Sequence, residues 1–174
     1  MQKVAIFGNA GGGKSTLSRK LATITGLPLY TLDKIKFQSD GQEVSQAEYG
    51  QAHQAILDSE RWIIDGFGSL DTLWPRLDAA DTLIYVDLPL ARHFWWVTKR
   101  FLTGYISPPA GWPENSPILK SSLQSYQVLG LCHKRLTPKY RDYVQQARSR
   151  KTVYHLRSTQ DMAQFLKSIE NQLG

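Results

Sequence analysis

The chain has 174 residues, 41% of them hydrophobic, and a formal net charge of +6. That length fits one domain with a full core, and the composition excludes a disordered, collagen-like or disulfide-stapled chain. Cys132 is the only cysteine, which excludes an internal disulfide, and no apolar run approaches the ~20 residues of a membrane-spanning helix.

Lys3-Val4-Ala5-Ile6-Phe7 reads as a short buried strand. Gly8-Asn9-Ala10-Gly11-Gly12-Gly13-Lys14-Ser15 follows and matches Gly-x-x-x-x-Gly-Lys-Ser, the phosphate-binding P-loop. A helix is expected from about Lys14 to Thr25, with Gly26 as its C-cap and Pro28 preventing its continuation. Leu29 to Leu32 is a second strand ending at Asp33, and residues 34–44 read as a polar loop. Ser45 and Glu48 have the spacing of a capping box for a helix running to about Ser59. Trp62-Ile63-Ile64 is a strand ending in Asp65, and a short helix covers about Leu70 to Leu77. Thr82 to Val86 is the clearest strand, ending at Asp87, and a helix from about Leu90 to Leu102 follows. Residues 104–118, rich in Gly and Pro, read as a loop, and two helices fill 119–149. Thr152 to Leu156 is the last strand, and Gln160 to Asn171 the last helix.

Strands alternate with helices, and the strands are continuously apolar, as in parallel sheets covered on both faces. The expected fold is α/β: a three-layer P-loop NTPase domain over residues 1–174, with a central parallel sheet of about five strands and a helical, lid-like segment at 103–135. Ligands in such sheets gather at the carboxyl ends of the strands. The P-loop, Asp33, Asp65 and Asp87 all fall there.

The chemistry of that loop is physical. Gly8, Gly11, Gly12 and Gly13 lack Cβ, so the backbone can curl around a triphosphate and turn its N–H groups inward. The helix N-terminus adds its dipole. Lys14 reaches the β- and γ-phosphates, and the Ser15 hydroxyl can ligate Mg²⁺. The second metal partner is expected at a strand end, where Asp65 and Asp87 both qualify. A strand-end Asp also serves as a turn or helix cap, so spacing leaves the two open. Asp33 is placed to hydrogen-bond an acceptor or take its proton.

Three segments carry a family resemblance. They are Val4 through Leu17, Trp62-Ile63-Ile64-Asp65-Gly66-Phe67, and Asp87-Leu88-Pro89 with the helix leading to Lys99-Arg100. The chain resembles the nucleoside monophosphate kinases of the adenylate kinase type. It looks closer still to the bacterial adenylate-kinase-related proteins known as DNA topology modulation proteins. The resemblance implies that Gly8, Gly13, Lys14, Ser15 and Thr16 hold the phosphates of ATP with Mg²⁺, and that Asp65 orients the metal's waters. It also implies that Arg100 stabilises the transferring phosphoryl group and that Arg157 lies near the adenine. Phe67 is followed by Gly68-Ser69, where adenylate kinases have Pro-Arg, so the arginine for an acceptor phosphate is missing there.

Charge is uneven. Residues 92–157 carry 12 Lys/Arg against Glu114 and Asp142 alone. A basic half beside a phosphate site suggests a lid or a polyanionic partner. Lys134, Arg135 and Arg141 are candidates to close over the nucleotide, with Gly104 and Gly111 as a hinge. Of the adjacent Trp95 and Trp96, one is expected in the core and the other toward the cleft, and Trp112 is a candidate for ring stacking. Cys132 reads as a half-buried structural residue. The four histidines lack metal-ligand spacing.

The expected activity is phosphoryl transfer from ATP·Mg²⁺ to a nucleotide or a small hydroxylated metabolite. The alternatives are a nucleotide-dependent nucleic-acid-binding or regulatory protein and a slow ATPase. No membrane partner is expected. A cytoplasmic monomer or dimer is, because the N-terminus runs straight into a strand without a leader pattern.

Overall fold

The computed structural model describes residues 1–36, 42–106, 126 and 129–173, with 100–106 by backbone alone. In chain order the elements are β1 (Lys3–Gly8), α1 (Lys14–Thr25), β2 (Leu29–Thr31), α2 (Leu32–Lys36), α3 (Gln46–Asp58) and β3 (Trp62–Asp65). There follow α4 (Leu70–Ala79), β4 (Thr82–Val86), α5 (Leu90–Ile106), helical residues 129–135 (α6), α7 (Thr137–Ala147), β5 (Thr152–Leu156) and α8 (Thr159–Leu173). Among the described residues no helix is long and apolar enough to cross a membrane.

The strands form one five-stranded sheet in the order β2-β3-β1-β4-β5, and every pairing is parallel. Alternation along β1 sorts its side chains into two cores. Val4 and Ile6 pack with Leu17 and Leu21 of α1 and Phe165 and Ile169 of α8. Ala5 and Phe7 pack on the other face with Leu73 and Leu77 of α4 and Tyr140 and Val144 of α7. With helices on both faces most positions of the central strands are apolar, so β1, β3 and β4 read as near-continuous hydrophobic runs. The three-layer α/β fold expected from the sequence is the one observed.

β1 leads through α1 toward β2, and β3 leads through α4 the other way, to β4. The loops after β1 and β3 therefore diverge between neighbouring strands, which is where such sheets open a crevice. Val4↔Ile63 and Ile6↔Asp65 set the register that places Asp65 beside the P-loop.

Helix ends follow local chemistry. Gly26 caps α1 at φ 65°, its N–H donating to the Ala22 carbonyl. Ser45 and Glu48 form the expected capping box at α3, with bonds of 3.2 and 3.0 Å. Ser69 and Thr72 form a second one at α4.

Two expectations are corrected. Residues 32–36 are helical and not strand end and loop, because buried Leu32 anchors a short turn against the core. Gly104 lies inside α5, which continues to Ile106, so it is not a hinge within a loop. Gly111 and Trp112 lie outside the described residues, as do all of residues 107–118 and most of the lid-like segment.

Candidate active site

Gly8 ends β1 at φ 136°, opposite Val86 of β4. The loop then turns through Gly11 and buried Gly12 to Gly13, at φ 73°, which is the N-cap of α1. Gly13 supplies no side-chain cap, and the first turn of α1 holds no acidic residue. The positive end of the helix is thus left for an outside anion. A cavity of about 330 Å³ opens here, lined by Gly11, Gly12, Gly13, Lys14, Ser15 and Thr16 among others. Trp96 of α5 forms one wall, its ring carbon 2.8 Å from where a Gly13 Cβ would stand.

A second cavity, of about 390 Å³, adjoins the first and shares Gly13, Thr16 and Trp96 with it. Its other walls are mostly apolar, from Leu17 of α1 and Met162, Ala163 and Leu166 of α8. One compartment suits phosphates and its neighbour suits a flat ring.

Lys14 is half-buried, and its Nζ donates to the Asn9 carbonyl at 2.7 Å. Burial pulls its ammonium below the ordinary lysine range, while the carboxylates of Asp65 and then Asp33 oppose the shift. Asp65 is 1% exposed. Its Oδ2 accepts from Ser18 Oγ at 3.2 Å, and its Oδ1 has no partner among the described residues. Asp33, in the first turn of α2, places Oδ1 3.6 Å from the Cβ position of Gly66, immediately after Asp65. Lys14, Asp33 and Asp65 thus gather around one strand end.

Asp87 is differently employed. Arg141 of α7 grips it with two bonds, 2.9 Å from Nε and 3.0 Å from Nη2, and His155 Nε2 lies 2.9 Å from its Oδ2. Burial alone would raise its pKa, but the bonds from Arg141 and His155 hold it below the usual carboxylate value. Arg157 lines the same cavity as Asp87, of about 850 Å³, with His133 and Arg148. It lines neither cavity at the P-loop. Arg100 lies on α5, with its side chain outside the described residues. Lys134 and Arg135 are exposed on α6, and Arg141 is committed to Asp87. Trp95 is 63% exposed, and half-buried Trp96 packs against the apolar core of α1 and α8 while walling both cavities. Cys132 is half-buried, as expected.

Three functional candidates lay outside the reading of the sequence. His93 of α5 is buried, and its Nδ1–H donates to the Ala10 carbonyl at 2.6 Å, fixing the P-loop. Burial lowers its pKa, with the Ala10 bond opposing. Asn9 also fixes the loop, its Nδ2 donating to the Leu129 carbonyl at 3.3 Å. The third is Arg76 of α4, fully buried with Nε, Nη1 and Nη2 all unpartnered among the described residues. A lone polar residue within the apolar stripe of α4 was the one available signal for it.

Next to Arg76 stands His53 of α3, held to about 4 by burial and then by the Arg76 charge. The folded ring therefore stays neutral while an unfolded histidine protonates near 6.5. Between pH 6.5 and 4 the unfolded chain binds the extra proton, so stability falls as pH falls, by about 3 kcal/mol in total. Denaturant unfolding at several pH values should show this loss, and His53→Leu should flatten it. An equally steep loss in the variant would assign acid sensitivity elsewhere.

No protein-family model and no curated protein matches the chain. Among solved structures, it is similar to shikimate kinase from Acinetobacter baumannii in complex with shikimate, with TM-score 0.59 and 14% identity over 99% of this chain and 92% of that one. It also aligns with an unliganded sugar kinase from Janibacter sp. HTCC2649, with TM-score 0.48 and 14% identity over 99% and 91% of the two chains. At this identity the likeness to shikimate kinase is one of fold.

Proposed function

We propose that the protein is a phosphotransferase that moves the terminal phosphoryl group of ATP to a hydroxyl of a small acceptor. The observation that carries this reading is the convergence of Lys14, Asp65 and Asp33 at the mouth of a P-loop whose helix end is uncapped. Asp33, whose charge reaches Lys14, would be the carboxylate nearest an acceptor hydroxyl in this reading. The likeness of fold to a shikimate kinase agrees with the reading.

Positioning and charge neutralisation supply most of the acceleration in such reactions. The main-chain amides of Gly11 to Ser15 would hold the β- and γ-phosphates. Lys14 would leave the Asn9 carbonyl to neutralise the transferring group. The apolar compartment against Trp96 would take the base by stacking. Asp33 would orient the acceptor hydroxyl and take its proton.

The donor set also fits Mg²⁺, a hard cation that keeps waters and takes few protein oxygens. Ser15 presents an exposed hydroxyl, and Asp65 presents a buried oxygen that lacks a partner. Ser15 would hold the ion directly and Asp65 through water; the ion would supply charge neutralisation across the β- and γ-phosphates. Asp87 drops out as metal partner in this reading, since Arg141 and His155 occupy it.

Calorimetry with ATP and Mg²⁺, followed by phosphorylation assays over nucleosides, nucleotides and hydroxylated metabolites, tests the proposal. No acceptor-dependent turnover across that panel would leave a slow ATPase. Asp33→Asn should lower kcat/KM for the acceptor about 10²–10⁴-fold. Its ATP affinity should stay within about threefold of wild type. Equal losses in both would place Asp33 in nucleotide binding instead.

A further inference from the structure

Arg76 poses a problem that the fold alone does not solve. Its side chain is 0% exposed, and none of its three nitrogens meets a hydrogen-bond partner among the described residues. A buried guanidinium normally has a carboxylate or several carbonyls around it, because an unpaired buried charge is costly. Core packing at this point of α4 would be served better by Leu or Met. Unsatisfied groups of this kind are kept where function requires them.

The geometry says which function. Helical side chains lean toward the helix N-terminus. The N-terminus of α4 follows Asp65 at the carboxyl edge of the sheet, so Arg76 reaches up toward the active site from below. Its electrostatic neighbours are Tyr49, Tyr140 and Asp65, and its charge is also felt at Lys14. Besides His53 Nε2 and Trp62 Nε1, the buried side-chain atoms without partners among the described residues are those of Arg76 and Asp65 Oδ1, and Arg76 and Asp65 feel each other's charge. Tyr49 of α3 roofs this region, its hydroxyl 3.2 Å from Thr72 Oγ1. Besides that bond, Gln46 to Asp71 at 3.1 Å ties α3 to α4. These two bonds hold the N-terminal end of α3, while Tyr49, His53, Ile56 and Leu57 bury its inner face.

We propose that Arg76 anchors an oxyanion of the acceptor, which is therefore a small hydroxylated metabolite bearing a carboxylate or a phosphate. A guanidinium presents its donors as a fork that matches either group with two parallel bonds. The anion would satisfy the orphaned donors and hold the acceptor hydroxyl toward Asp33 and the γ-phosphate. This assignment rests on the phosphotransferase reading and adds the acceptor's charge to it.

The test saturates the P-loop with a nonhydrolysable ATP analogue and Mg²⁺, then titrates a second ligand while following thermal stability. The second ligands are inorganic phosphate, glycolate and, as the uncharged control, glycerol. Wild type should be stabilised saturably by phosphate or by glycolate, and not by glycerol; which anion acts distinguishes the two acceptor types. Arg76→Met should lose that response, keep the analogue's affinity, and melt no lower than wild type, since it removes an unpaired charge. Arg76→Lys keeps the charge without the fork and should bind the anion at least tenfold more weakly, which decides the matter if the Met variant does not fold. The proposal is overturned if neither anion acts on wild type, if the Lys variant binds as wild type does, or if the Met variant melts markedly lower. If the analogue itself does not bind, the phosphotransferase reading fails, while the same titration without it still reads the Arg76 site.

Discussion

Lys14→Ala is expected to abolish the heat of ATP·Mg²⁺ binding and to lower kcat/KM at least ~10³-fold, or about 4 kcal/mol of transition-state stabilisation. Lys14 lines the P-loop cavity, and its ammonium already meets the loop itself through the Asn9 carbonyl. The fold should survive. The variant loses a single bond to a loop carbonyl and is relieved of a desolvated ammonium. Circular dichroism and melting temperature should stay close to wild type. Unchanged nucleotide affinity in this variant would remove the phosphate-site assignment, and every role given to Asp33 and Asp65 would go with it.

Gly8→Ala should produce the largest stability loss of any single methyl addition to the loop. At φ 136° an L side chain is strained, and the new methyl would be driven into the Val86 carbonyl of β4. That oxygen is backbone, in the central β1–β4 pairing, and cannot move without splaying the sheet. A loss above ~4 kcal/mol is expected, of the kind seen only for named steric failures. That corresponds to a melting temperature roughly 10 °C lower or more. Gly50→Ala is the matched control. It sits in α3 with nothing within 4 Å of its Cβ position, so alanine there should stabilise by about 0.5–1 kcal/mol. Similar melting temperatures for the two variants would mean that β1 and β4 are not paired as described.

The loop and helix end to which we assign phosphate binding were legible because their chemistry is local. Glycines, a lysine and a serine at fixed spacing act through the backbone they belong to, and the flanking strand and helix are short-range patterns. The same holds for the capping box at Ser45 and the glycine cap at Gly26. Trp96 was legible only in part. The pair was expected to divide between core and cleft, yet Trp96 both packs against the core and walls the P-loop cavity, and Trp95 is left in solvent.

The acidic residues mark the boundary. Two strand-end carboxylates, Asp65 and Asp87, look alike in sequence, and spacing left both open as metal partners. Strand order separates them. β3 lies beside β1, which sets Asp65 against the P-loop, whereas Asp87 at the end of β4 meets Arg141 from α7 and His155 from β5. Those partners are 54 and 68 residues away.

The amino-acid order alone determined the alternation of strands and helices and the glycine-rich turn between β1 and α1, because both arise from periodicity and backbone freedom within a few residues. The tertiary structure alone decided which carboxylate lies beside the P-loop, which arginine is buried without a partner among the described residues, and which histidine pins the loop. Those outcomes depend on which strands lie side by side. No short-range pattern encodes that; it follows from how two apolar faces are covered at once.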